Sequence, residues 1–259
     1  MPDKFTNENS CFFEGMTSIS ALIKAIETKP SARKIKYVYY DSSKASSKYS
    51  QIKFLKIKSK EIGFELISAE TEDISNLANG NTHGGFVAVC EEKEYPALSA
   101  QNLNPNGIYY IIDGIEDPFN FGYAVRALYA AGADGVILPP RNWTEATAVV
   151  CRSSAGCSEL LNIYVQDLTE AVCMLKSHGF RIASANITDS VSLYSADLSS
   201  PIAFIIGGEK RGISRSLLDC SDLNIRIDYA SDFKGSLPTA SATALIAFEA
   251  SKRNGKFNF

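Results

Sequence analysis

The sequence predicts an α/β protein: a parallel-sheet domain over residues 108–259, joined by a linker at 93–107 to a small αβ domain over residues 1–92. Three observations predict it. From Ile108 onward, strand-like and helix-like segments alternate, the pattern of a parallel sheet with crossover helices. Two of the strand-like runs, IYYIID from Ile108 and IAFIIGG from Ile202, are almost continuously apolar, as strands buried on both faces are. Between the halves, EEKEYPALSAQNLNPNG is rich in Pro, Asn and Ser and carries neither periodicity.

The elements follow in order. MTSISALIKAIET has helical period, with Ile19, Leu22, Ile23 and Ile26 on one face. KIKYVYYD is a strand, YSQIKFLKIKSKEIG a helix stopping at Gly63, FELIS a strand, TEDISNLAN a short helix and GGFVAVCE a strand. In the second half, strand IYYIIDGI leads to a helix from about Phe121, then strand GVILP. EATAVVCRSSAG reads as a helix, LNIYV as a strand, LTEAVCMLKSHG as a helix stopped by Gly179, and RIASANI as a strand. Strand IAFIIGG, helix ISRSLLDC, strand LNIRID and a helix from about Leu237 to Arg253 complete the chain.

Apolar residues make up 45% and charged residues 21%, values of a soluble globular protein. No run has the length of a membrane span, and the N-terminus lacks a signal-like apolar core, so a cytoplasmic location is expected. The cysteines at 11, 90, 151, 157, 173 and 220 form no C-x-x-C pair, and the two histidines are His83 and His178; no metal site is expected, only reduced and mostly buried thiols. The net charge is −3, but it is unevenly spread. Between Lys24 and Lys60 eleven basic residues face two acids, a local +9, so the remainder carries −12. Tyr37, Tyr39, Tyr40 and Tyr49 interleave with these lysines. This is the composition either of a polyanion-binding surface suited to RNA or of a solvated lysine face.

Ligands of open parallel sheets sit beyond the carboxyl ends of the strands, so three loops stand out. In DPFNFGYAVRALYA, Asn120 could be the helix N-cap, while Gly122 and Arg126, four apart, share a face. In FIIGGEKRGIS, Gly207, Gly208 and Gly212 allow close backbone approach to a ligand, and Glu209 is either a structural cap or a site residue. The phosphate-binding lysine of a P-loop is missing there, so a nucleoside without a bound phosphate fits better. In IRIDYASDFKGSLPTASATALIAFE, Ser236 is a candidate N-cap and small residues permit tight helix packing.

Taken together, Asn120-x-Gly122-x3-Arg126, then Gly207-Gly208-Glu209-x2-Gly212, then Ile227 with Ser236-Leu237 entering a small-residue helix, resemble the three motifs of the SpoU–TrmH family within the SPOUT RNA methyltransferases. CRSSAGCSELLNIYV resembles the family's Ser-Ala-Gly segment, and NTHGGFVAV around His83 resembles the end of its N-terminal substrate-binding domain. The resemblance implies a deep trefoil knot, S-adenosylmethionine as cofactor, RNA as partner, a homodimer and 2′-O-methylation of a ribose, with rRNA favoured over tRNA. By position it implies Gly207, Gly208, Gly212, Ile227, Ser236 and Leu237 around the cofactor, and Asn120, Arg126 and Glu209 as catalytic residues. Arg126 would serve as general base or, since guanidinium hardly deprotonates, as electrostatic stabiliser of the developing alkoxide. The third motif departs from the family's Ser-Leu-Asn-x-Ser: Pro238 replaces the amide and Ala240 the hydroxyl, leaving Thr239 or Ser241 to compensate. The alternative expectation is a noncatalytic RNA-binding protein that keeps the fold.

Overall fold

The computed structural model describes residues 10–29, 32–78, 83–140 and 146–257. Residues 1–9, Asn81 and Thr82 before His83, and Glu145 lie outside them. The chain forms two compact units that are not contiguous in sequence: 1–94 with 142–160, and 95–141 with 161–259.

The first unit is a four-stranded sheet of β1 (Ser10–Glu14), β2 (Ile35–Asp41), β3 (Glu65–Ala69) and β4 (Phe86–Glu91), in the order β1-β4-β2-β3. β4 runs antiparallel to both its neighbours, and β2 pairs with β3 in parallel. Strand alternation sends Phe86, Ala88 and Cys90 to one face and Val87 and Val89 to the other. The first face packs on α1 (Gly15–Thr28) and α2 (Tyr49–Ile62), the second on α3 (Thr71–Leu77). Burial on both faces explains why this antiparallel strand reads as an unbroken apolar run. β1 is absent from the sequence expectation; five residues acquire strand character by pairing with β4, Cys11 opposite Cys90. His83 is buried and structural, its Nδ1 accepting from the Gly85 N–H at 3.1 Å.

The sequence division places residues 146–160 in the second domain; they cluster with the first unit. There α5 (Thr147–Ser153) and α6 (Cys157–Leu160) close the core: Cys151 is buried with Phe13, Ile19 and Leu22. Burial pushes the Cys151 thiol up to about 12. Arg152 pairs with Glu14 at 3.2 Å, and Arg33 with Glu159 at 3.6 Å inside the core.

The second unit carries seven strands in the order β7-β6-β5-β10-β8-β11-β9, every pairing parallel. They are β5 (Ile108–Asp113), β6 (Gly135–Leu138), β7 (Ile163–Val165), β8 (Arg181–Ala185), β9 (Val191–Ser192), β10 (Ile202–Gly207) and β11 (Leu223–Arg226). One face packs Tyr109, Ile111 and Ile205 against α7 (Leu168–Ser177) and α8 (Arg215–Asp219). Linker residue Leu98 joins the same core. α4 (Pro118–Ala130) and α9 (Thr239–Arg253) pack on each other and are tied at their ends by Ser251 Oγ donating to the Ala131 carbonyl at 2.5 Å. After β5 the chain moves outward to β6; after β10 it moves the other way to β11. β5 and β10 therefore flank the topological switch point, near which α/β proteins commonly bind ligands.

Two helix starts differ from expectation. α4 begins at Pro118, and its N-cap is Asp117, whose carboxylate accepts from the Asn120 N–H at 2.9 Å. Asn120 is thus not the cap, and its amide is free for another task. α9 begins at Thr239 with Pro238 at the N-cap, so Ser236 caps nothing.

Candidate active site

β5 and β10 end side by side, Asp113 in register with Gly207. Asp113 fastens the second loop to the first: its carbonyl accepts from Gly208 N at 2.6 Å and its carboxylate from Ser214 N at 2.8 Å. Two glycines make this possible. A Cβ on Gly208 would lie 2.1 Å from the Gly114 carbonyl oxygen, and one on Gly207 would lie 2.4 Å from the Gly212 carbonyl carbon. The close approach expected of these glycines is thus made, at least in part, to the chain itself.

The fastening brings Asn120 to Glu209. Asn120 Nδ2 donates to Glu209 Oε1 at 2.8 Å, across 89 residues of sequence. Lys210 pairs with Glu116 beside them. Arg126 is not part of this pair. Six residues along a helix give about 9 Å of rise and roughly 240° of rotation, so Arg126 faces away from Asn120. It is exposed and has no hydrogen bond or ion pair among the described residues, while Gly122 on its own face is buried.

From Glu209 a cleft of about 620 Å³ runs over the ends of β10, β8 and β11. Gly207, Gly208, Gly212, Ile227, Ser236 and Leu237 all line it. Ile187, Ile206 and Ile246 add apolar wall. The far wall is held by hydroxyls: Tyr229 Oη accepts from Leu237 N at 3.2 Å, and Thr239 Oγ1 donates to the Gly207 carbonyl at 3.1 Å. At the rim, Asp228 is held below the usual carboxylate range by a hydrogen bond from Ser192 and by Arg226 beside it. Sequence patterns pointed to neither Tyr229 nor Ile187 nor Asp113. Strand-end aspartate before a Gly turn was the one available signal, and it is weak.

A parallel α/β unit with a cleft beyond its strand ends and a polar pair at the mouth is of the class whose members commonly bind small molecules there. Residues 107–248 match the model of the SpoU rRNA Methylase family. A TrmH-family protein of Staphylococcus haemolyticus is 31% identical over 182 residues, 68% of this chain and 72% of that protein. The Shewanella oneidensis 23S rRNA (guanosine-2′-O-)-methyltransferase RlmB is 29% identical over 200 residues, 74% of this chain and 80% of its own. Among solved structures, an AdoMet-bound rRNA methyltransferase from Sinorhizobium meliloti superposes with TM-score 0.77 at 23% identity, covering 95% of this chain and 88% of that one. The AdoMet complex of AviRb from Streptomyces viridochromogenes gives 0.75 at 20%, covering 98% and 93%. The chain belongs to the SpoU rRNA methylase family of RNA methyltransferases.

Proposed function

We propose that this protein methylates a ribose 2′-hydroxyl of RNA, with S-adenosylmethionine as donor and ribosomal RNA as the favoured substrate. The observation that carries the proposal is the Asn120–Glu209 hydrogen bond standing at the mouth of a nucleoside-sized cleft. The specificity named for the Shewanella relative supports the ribose and the rRNA, and the bound AdoMet of the two solved neighbours supports the donor.

The cleft suits such a donor. Its apolar wall matches an adenosine, its backbone groups can hydrogen-bond one, and no phosphate-binding lysine follows Gly212. Gly207, Gly208, Gly212, Ile227, Ser236 and Leu237 would hold it. When bound, S-adenosylmethionine supplies a methyl group on a sulfonium that departs as a neutral thioether. The work left to the chain is to bring the hydroxyl into line and to steady the charge that forms on its oxygen. Asn120, fixed by Glu209, positions the ribose. Arg126, on the face of α4 turned away from this pair, would offset the oxyanion from a second copy of the chain in the homodimer, while the hydroxyl proton passes to phosphate or water.

Arg126 shares the exposed face of α4 with Tyr123, three residues before it, and Phe119, four before that. With exposed Leu245 and Phe248 on α9, this apolar surface supports a homodimer. In the first unit, Lys53, Lys56 and Lys60 of α2 are exposed, without an acidic partner among the described residues, and lie among exposed Tyr49, Phe54 and Ile57. That surface supports RNA binding by charge and stacking. The test is methyl incorporation from labelled donor into total RNA of a strain lacking the gene. Incorporation is expected. None into rRNA or tRNA, with donor binding demonstrated, would leave a noncatalytic RNA-binding protein.

A further inference from the structure

Leu237 and Thr239 line the far wall of the cleft, and two hydroxyls fasten them. Pro238 has no N–H to donate and no amide side chain, and Ala240 has no hydroxyl. Thr239 supplies a hydroxyl between them. It is 4% exposed, yet it does not cap its own helix, since the N-cap is Pro238. Its Oγ1 instead donates to the carbonyl of Gly207, the last residue of β10, at 3.1 Å. Thr239's own carbonyl is fixed in turn by buried Thr243, whose hydroxyl donates to it at 2.7 Å. Two residues back, Tyr229 Oη takes the Leu237 N–H, with its ring against Phe233 at 5.7 Å between centroids. The segment is thus pinned to β10 at one end and to the loop after β11 at the other.

We propose that Thr239, with Tyr229, is a positioning residue for the methyl donor. Its hydroxyl sets the distance between the two walls that face each other across the cleft, Gly207 on one and Leu237 on the other. It provides a hydrogen bond that the side chains of Pro238 and Ala240 cannot make. The proposal rests on the cleft being the donor site.

The experiment is calorimetric titration of the full chain with S-adenosylmethionine and S-adenosylhomocysteine, well below the melting temperature. Thr239→Val keeps shape and removes the hydroxyl. It is expected to weaken both ligands about 3- to 10-fold, the worth of one hydrogen bond. Thr239→Ser should stay within about 2-fold of the parent. Tyr229→Phe, at a part-exposed site that tolerates the change, should weaken both ligands about 2- to 5-fold and gives a reading even where Thr239→Val folds poorly. In turnover the loss should fall on the KM for donor, with kcat held. Unchanged affinity in Thr239→Val, or equal loss in Thr239→Ser, overturns the proposal; with Thr239→Val unfolded, unchanged affinity in Tyr229→Phe does so. Failure of the parent chain to bind either ligand would instead overturn the donor site itself.

Discussion

Replacing Glu159 by alanine should unfold the first unit far more readily than a surface change would. Arg33 Nε lies 3.6 Å from Glu159 Oε2, and both side chains are only 1% exposed. The same guanidinium donates to the Glu91 carbonyl at 2.9 Å, reaches Cys11 Sγ at 3.6 Å and sits 5.1 Å from the centre of the Phe13 ring. Truncating Glu159 leaves that cation in the core without its carboxylate, a loss of about 3–5 kcal/mol in comparable sites. The retained bond to Glu91 argues for the lower end, about 3 kcal/mol. With a urea dependence of about 2 kcal/mol per molar, the midpoint of the first unit should fall by roughly 1.5 M. Arg33→Met with Glu159→Leu removes both charges and should return to within about 1 kcal/mol of the parent. Urea unfolding followed by circular dichroism, with amide exchange to assign the transition to residues 10–94 and 146–160, measures both. A loss below about 1 kcal/mol in Glu159→Ala, or an equal loss in the double variant, would refute the reasoning.

Arg126→Ala should lower methylation by about 100-fold or more and leave donor affinity within about 2-fold, because the guanidinium is exposed and off the cleft wall; loss of donor binding by calorimetry would show its role to be misassigned. Replacing Lys53, Lys56 and Lys60 together by alanine should weaken RNA binding and reduce the slope of log affinity against log salt by about 2, read by filter binding at several ionic strengths; an unchanged slope would remove α2 from the RNA surface. Burial, reinforced by Lys93, lowers the Lys29 amine to about 8 from its ordinary 10.5. Between those values Lys29 holds its proton more in the unfolded chain than in the folded one, while the raised thiols of Cys90 and Cys151 act the other way above about pH 9, so it is the stability of the parent relative to Lys29→Met that should rise from pH 8 toward pH 10. Thermal melting of both proteins across that range checks it, and a parent-minus-variant difference that falls or stays flat contradicts it.

Much of the second unit was legible because its strands are buried on both faces. Ile108–Asp113 and Ile202–Gly207 carry that burial as unbroken apolar runs, and helices between them show the 3.6-residue period. Features that depend on partners distant in sequence were not legible. β1 is five residues that become a strand by pairing with β4 some eighty residues on. Residues 147–160 follow a strand of the second unit, and nothing local says that Cys151 will be buried with Phe13. At α4, Asp117 and Asn120 both carry capping side chains; Pro118 between them, a residue suited to the first helical position, was the signal for Asp117. The six residues expected around a cofactor came from the family resemblance, and all six line the cleft with Glu209. Spacing could not show that Asn120 bonds Glu209 or that Arg126 stands apart, since helix phase and loop fold decide both.

The most direct test is to locate the methyl group within the modified nucleotide. RNA methylated with labelled donor is digested with alkali, which cleaves only beside a free 2′-hydroxyl. Label recovered in an alkali-stable dinucleotide, and lost with Arg126→Ala, is the predicted result. Label in mononucleotides, as for a methylated base, would contradict the ribose 2′-hydroxyl as the acceptor.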